Sequence, residues 1–209
     1  MIMAKVKICG IRRREDALLA CELGAAMIGM IFYSDSPRYI SEIEARKIVS
    51  SLPEDLIPVG VFVNPGYKEI KSVVENVGIK GIQIHGKANV EDIRKLDLKL
   101  IQAHRIDESF QFDTLSEDEY DYILLDNRVN GFYGGTGKVF DWNLIPSHID
   151  RERLILAGGL NPDNVTDAIL KVGPAIVDIS SGVESSPGIK DKSKLRKLFE
   201  AVQVANSGL

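Results

Sequence analysis

Val6-Lys7-Ile8-Cys9-Gly10-Ile11 reads as a short apolar strand that stops at a glycine turn, with a thiol at the stop. The same reading recurs down the chain. Runs at Met27–Phe32, Pro58–Phe62, Gly81–His85, Lys99–Ala103, Tyr122–Asp126, Leu154–Ala157 and Ala175–Ile179 join Val6–Cys9 to make eight predicted strands. Most are short and apolar, the composition of strands buried on both faces. Helical patterns stand between them, at Glu15–Leu23, Ser41–Ser50, Tyr67–Val77, Val90–Leu96, Asn164–Val172 and Lys192–Ala205. The first has acidic residues in its opening turn and Gly24 just past its end, which are helix start and stop signals. The segments after the fifth and sixth strands are poorer helix candidates. Eight β/α units in 209 residues predict an α/β fold, a single (β/α)8 TIM barrel spanning residues 1–209. A doubly wound open sheet uses the same alternation. The count of eight, and the lack of a dinucleotide fingerprint after the first strand, favour the barrel.

Composition narrows the function classes. The chain is 44% hydrophobic with a net charge of −4, and its basic residues are not clustered, so no nucleic-acid footprint is expected. No apolar run approaches the roughly 20 residues that cross a bilayer, so no membrane partner is expected. Met1-Ile2-Met3-Ala4-Lys5 has no signal-peptide layout, and two cysteines make no disulfide framework. These features predict a soluble, reduced, cytoplasmic protein, either a monomer or a homodimer. No His/Cys cluster has metal-ligand spacing, so no metal is expected.

A barrel of this kind carries its chemistry at the C-terminal strand ends. Cys9 ends the first strand and Asp126 the sixth, a thiol and a carboxyl suited to acid/base isomerisation without a cofactor. A cysteine in an apolar strand is also commonly just a small buried hydrophobe. Alternation puts Lys7 on the same face as Cys9, one layer deeper, where its charge would favour the thiolate, and Asp178 on the adjacent eighth strand could pair with it. The plainer role for Lys7 is to face outward between helices. Gln83 and His85, two apart on the fourth strand, share a face and are candidate contacts for polar substrate atoms. Arg38, in a loop stiffened by Pro37, offers a fork for a carboxylate.

The last two loops predict a phosphate site. Gly158 and Gly159 follow the seventh strand, and Ser180, Ser181 and Gly182 follow the eighth. Glycine lets backbone N–H groups approach an anion, and a following helix adds its N-terminal dipole. Asn161 and Asp163 read mainly as caps for that helix. The glycine-rich stretch Asn127–Lys138 does not fit a nucleotide P-loop, because Phe132 and Val139 stand where Gly and Ser or Thr belong, and it reads instead as a lid. Cys21 lies on a stripe with Ala17 and Leu18 and reads as core packing. Asn164-Val165-Thr166 matches a glycosylation acceptor by chance.

Taken in order, these motifs resemble the phosphoribosylanthranilate isomerases of tryptophan biosynthesis. The resemblance runs through Lys7–Ile11, Phe32 with Ser36–Tyr39, Val61–Asn64, Gln83–Gly86, Leu125-Asp126 with Gly134–Gly137, Phe140–Trp142, Leu156–Leu160 and Asp178–Gly188. Arg12 and Asn127 depart from the family's frequent Thr and Ser. The resemblance implies a phosphosugar substrate and an Amadori rearrangement, with Asp126 as general acid, Cys9 as general base, Arg38 at the anthranilate end and the last two loops on the phosphate. Indole-glycerol-phosphate synthase is the nearest rival, but its usual helical extension before the first strand is missing. A binding or sensing protein on the same barrel would need neither Cys9 nor Asp126. A redox sensor at Cys9 lacks an evident resolving partner.

Overall fold

A computed structural model describes residues 3–107, 109–115, 119–127 and 140–208. Eight parallel strands close into a barrel in chain order: β1 (Lys5–Ile8), β2 (Met27–Ile31), β3 (Ile57–Val63), β4 (Gly81–His85), β5 (Lys99–Ile106), β6 (Tyr122–Asn127), β7 (Leu154–Leu156) and β8 (Ile176–Ile179). The expected barrel is therefore the observed one. Six α-helices lie outside it among the described residues: α1 (Arg14–Glu22), α2 (Glu42–Val49), α3 (Tyr67–Val77), α4 (Val90–Arg94), α5 (Val165–Val172) and α6 (Lys192–Ser207). Short 3-10 turns at Phe112–Thr114, Trp142–Leu144 and Arg151–Arg153 are the helical pieces described after β5 and β6, where the helical pattern is weakest.

Strand alternation divides the apolar residues into two bodies. One fills the barrel with Met27, Val59, Ile101, Leu124, Ile155 and Ile176. The other lies between strands and helices and contains Val6, Ile8, Ile28, Phe62, Ile82 and Ile84. Phe32 and Phe62 stack in this outer layer with ring centroids 5.5 Å apart. Helix ends follow local chemistry. Ser41 and Glu44 make a reciprocal capping box on α2. Gly78 and Gly173 close α3 and α5 in the left-handed conformation.

Two strand boundaries and one helix face differ from expectation for visible reasons. β1 stops at Ile8 because Gly10 turns the chain at φ 74°, although Cys9 N–H still donates to the Ile179 carbonyl at 2.9 Å. β5 continues to Ile106 because His104, Arg105 and Ile106 stay in register with Leu125, Asp126 and Asn127. On α1 the buried face is Asp16, Ala17, Leu19 and Ala20, while Cys21 is half-buried at its margin. Of the expected stripe Ala17 is buried and Cys21 packs against the core's edge, Leu18 is only half-buried, and Asp16 is drawn in to accept the Lys190 N–H at 3.1 Å.

The outer layer depends on large side chains with no exposed surface. Phe62→Ala is expected to cost about 3–5 kcal/mol, read as a lower urea midpoint at unchanged slope.

Candidate active site

A pocket opens at the C-terminal ends of the strands. Its wall includes Cys9, Arg38, Gln83, His85, Asp126, Gly158, Gly159, Ser180 and Ser181, which the sequence singles out from six different β/α units. Of the expected site residues only Gly182 stays out of the wall. A side chain there would collide with the Leu160 carbonyl, so this glycine packs one terminal loop against the other.

Beneath the pocket, Lys7 faces into the barrel with no exposed surface. Its register partner across the β1–β8 seam is Asp178, and Lys7 Nζ donates to Asp178 Oδ2 at 2.9 Å. The outward position for Lys7 is thereby excluded. Asp178 Oδ1, also buried and facing the pocket, has no hydrogen-bond partner among the described residues. Gly29 on β2 makes the space: a Cβ there would lie 2.7 Å from Cys9 Sγ and 3.2 Å from Lys7 Nζ. Burial pushes the Lys7 ammonium toward neutrality, but Asp178 and Cys9 outweigh it and hold its pKa above the ordinary value.

Cys9 shows the opposite balance. Desolvation raises the thiol, Lys7 and Lys190 lower it, Asp178 raises it, and the sum lies above the ordinary thiol value. Lys7 thus acts in the expected direction, yet burial wins, and the resting group is a thiol. Asp126 is pushed up to about 6, first by desolvation and then by Asp178, against the Asn127 N–H, Arg105 and Lys7. It is poised to hold or release a proton near neutrality.

Gln83 Nε2 and His85 Nε2 lie 2.8 Å apart. Burial, with smaller contributions from Arg105, Lys7 and His104, pushes His85 down to about 3. Neutral imidazole therefore accepts from the Gln83 amide, and Gln83 Oε1 is left buried and unpartnered among the described residues. This pair is suited to hydrogen bonding rather than to proton uptake.

At the other side of the pocket Gly158 and Gly159 both adopt positive φ, at 86° and 73°. A side chain on Gly158 would collide with the Asn127 backbone and come within 2.8 Å of Asp126 Oδ1. Glycine here lets the seventh loop lie against the carboxyl. Ser180 Oγ is buried without a partner among the described residues and lines the pocket beside this loop. Asn161 Oδ1 accepts the Asp163 N–H at 2.8 Å, whereas Asn164 occupies the cap position of α5 without a side-chain cap bond. Asp163 is therefore not the cap.

Arg38 is not a free fork. Its Nε and Nη2 pair with Glu184 at 2.9 and 2.7 Å. Glu184 Oε1 also accepts from Lys190 Nζ at 2.9 Å and from the Gly188 N–H at 3.2 Å. Glu184 and Lys190 lie in a small hairpin, β9 (Glu184–Ser186) and β10 (Ile189–Lys190). Neither residue stands out in the sequence. Their signal is two charged residues flanking a Pro187-Gly188 turn next to the last strand, a weak one in so short a hairpin. Arg12 lies over this turn, since a Cβ on Gly188 would meet its Cδ at 2.6 Å. The stretch expected to form a lid falls, apart from Asn127, outside the described residues. Among the described residues no group of three His, Cys, Asp or Glu side chains is placed to hold a metal ion, and no helix is long and apolar enough to cross a membrane.

Comparison with known proteins gives one consistent result. Residues 6–201 match the family model for N-(5'-phosphoribosyl)anthranilate (PRA) isomerase. A curated isomerase of that name from Trichlorobacter lovleyi is 42% identical over 97% of this chain and 100% of its own length. One from Thermotoga neapolitana is 43% identical over 95% of this chain and 98% of its own. The crystal structure of phosphoribosyl anthranilate isomerase from Thermotoga maritima superposes with a TM-score of 0.87 at 42% identity, covering 97% of this chain and 100% of that one. A second such structure, in complex with reduced 1-(o-carboxyphenylamino)-1-deoxyribulose 5-phosphate, gives a TM-score of 0.84 at 39% identity over 97% of this chain and 100% of that one. A closed eight-stranded barrel with these matches over nearly its whole length places the chain in the N-(5'-phosphoribosyl)anthranilate isomerase family.

Proposed function

We propose that the pocket performs the family's reaction, with Asp126 as general acid and Cys9 as general base. The chain is an isomerase of tryptophan biosynthesis that converts N-(5-phosphoribosyl)anthranilate to 1-(2-carboxyphenylamino)-1-deoxyribulose 5-phosphate. Asp126 gives its proton to the ribose ring oxygen as the bond from C1 to that oxygen breaks, and the anthranilate nitrogen lone pair forms the cationic Schiff base. Cys9 thiolate then removes the C2 proton. The electron pair moves into the C1–C2 bond and discharges the cation to an enolamine. Loss of the enol proton and protonation of C1 complete the aminoketone.

The observation that carries this reading is the placement of a raised carboxyl and a thiol in one pocket, above a buried ammonium. The remaining wall follows the substrate's chemistry. Gly158, Gly159, Ser180 and Ser181 take the phosphate, with Gly182 supporting that loop from behind. Gln83 and His85 bind polar substrate atoms, and Arg38 faces the anthranilate carboxylate. The same proposal covers a cytoplasmic location and either a monomeric or a homodimeric state.

The protonation order has a consequence. The competent form needs Asp126 protonated and Cys9 ionised, but Asp126 has the lower pKa, so the resting form carries the proton on sulfur. Below both values, raising pH increases thiolate while the acid stays protonated, so kcat/KM rises. Between the values the competent tautomer is a constant small share. Above the thiol value the acid is lost without further gain of base, and kcat/KM falls.

Loss of anthranilate-type fluorescence during turnover of freshly generated substrate reads the reaction. Cys9→Ala and Asp126→Asn are each expected to lower kcat by about 10²–10⁴-fold or more, with substrate still bound, and near-normal kcat in either variant removes that residue from the mechanism. The kcat/KM profile is expected to rise to a limb near the Asp126 value of about 6, then stay level until pH passes the ordinary thiol range. A decline beginning at that first limb would show Cys9 to be a thiolate throughout and contradict this order.

A further inference from the structure

Two buried cations share one carboxylate at the rim of the pocket. Lys190 Nζ spends its hydrogen bonds on Glu184 Oε1 at 2.9 Å, the Cys9 carbonyl at 2.6 Å and the Ser180 carbonyl at 3.1 Å. Three acceptors match the three protons of an ammonium, whereas a neutral amine has two. Arg38 holds the same Glu184 through one edge of its guanidinium, Nε and Nη2. Arg38 is 9% exposed, Glu184 7% and Lys190 3%, so with both cations protonated the trio carries one positive charge in excess in a place where solvent compensates little; burial pulls the Lys190 ammonium below its ordinary value, and Glu184 opposes that. Nη1 takes no part in the Glu184 pair, and the arginine forms part of the pocket wall. The stem of Arg38 is fixed as well, because it packs where a Cβ on Gly10 would lie 2.7 Å from Arg38 Cδ.

We propose that Glu184, anchored by Lys190 and the Gly188 N–H, is a positioning residue that presets Arg38 for the carboxylate on the substrate's aromatic ring and so sets selectivity for a carboxylated arylamine. This rests on the reading of Arg38 as the anthranilate-end contact. The guanidinium presents one edge to Glu184 and keeps the other for the ligand, and the excess charge is neutralised only when an anion arrives. Because Lys190 also holds the carbonyls of Cys9 and Ser180, the same ammonium ties the arginine's partner to the backbone of the thiol and of the phosphate loop. A fixed donor fork loses little rotamer freedom on binding, which is the gain from preorganisation.

The test compares kcat/KM for the natural substrate with that for the phosphoribosyl derivative of aniline, which lacks the carboxylate. Wild type, Glu184→Gln, Glu184→Asp and Arg38→Met are measured together, with the Kd of each reduced product analogue as a readout independent of turnover. Glu184→Gln keeps the side chain's size but turns amide protons toward the arginine. It is expected to lower the preference for the carboxylated substrate by about tenfold or more, mainly through KM, with little change for the aniline derivative. Glu184→Asp keeps the charge but is one methylene too short to reach both cations, and its preference is expected to fall between the two. Should Glu184→Gln not fold, Glu184→Asp carries the test. Equal losses on both substrates would make Glu184 merely structural and overturn the proposal. So would an unchanged preference in the Glu184 variants while Arg38→Met collapses it. An unchanged preference in Arg38→Met would overturn the underlying reading of Arg38 and this inference with it, a pattern distinguishable from the other two.

Discussion

An ammonium group buried inside a barrel cannot stand alone. Lys7 has no exposed surface, and removing either member of such a pair leaves an uncompensated charge in a poorly solvated place. The Lys7–Asp178 pair therefore constrains everything near it. It binds β1 to β8 side chain to side chain at the residues that are already register partners, where the barrel closes. It requires Gly29 on the next strand, because any side chain there would occupy the space of the thiol and the ammonium. It also supplies the field in which the proposed acid and base titrate.

That field acts on two groups at once. Lys7 draws Cys9 toward thiolate and Asp126 toward carboxylate, while Asp178 pushes both toward their protonated forms. Because burial adds to the Asp178 effect, both groups rest above their ordinary values. A carboxyl acid gains from this, since it keeps a proton to give near neutral pH. The thiol base loses by it in the resting state, and Lys7 limits the loss. The charges at the rim have a different balance. The floor pair is neutral overall, whereas Arg38, Glu184 and Lys190 leave one positive charge over. In the proposed binding mode the anionic aromatic group meets the excess charge at the rim and the phosphate meets the glycine loops.

How much of this was legible in the sequence depends on the range of the interaction. The barrel was legible because short apolar runs alternating with helical patterns are local signals, repeated eight times. Cys9, Asp126, Gln83 and His85 were legible because strand parity and strand ends decide which way a side chain points. Lys7 and Asp178 could be paired because adjacency of the first and last strand follows from closure itself. The partner of Arg38 could not be read, since Glu184 is 146 residues away and lies in a hairpin whose strands are only 3 and 2 residues long. Gly29 gave no signal either: nothing in its own strand says that a thiol and an ammonium on the neighbouring strand need its missing side chain. The direction of the Lys7 effect on Cys9 followed from charge alone, but the outcome did not, because desolvation depends on the finished packing.

The most direct test of the central claim is the Cys9 thiol pKa, from the pH dependence of alkylation, in wild type and Lys7→Met, both on a Cys21→Ser background so that one thiol reports. The expected wild-type value lies above the ordinary thiol range and rises further when the ammonium is removed, since only Lys190 and the Gly10 N–H then oppose burial and Asp178. An unchanged value in Lys7→Met would contradict it, and would separate the buried ion pair from the chemistry above it.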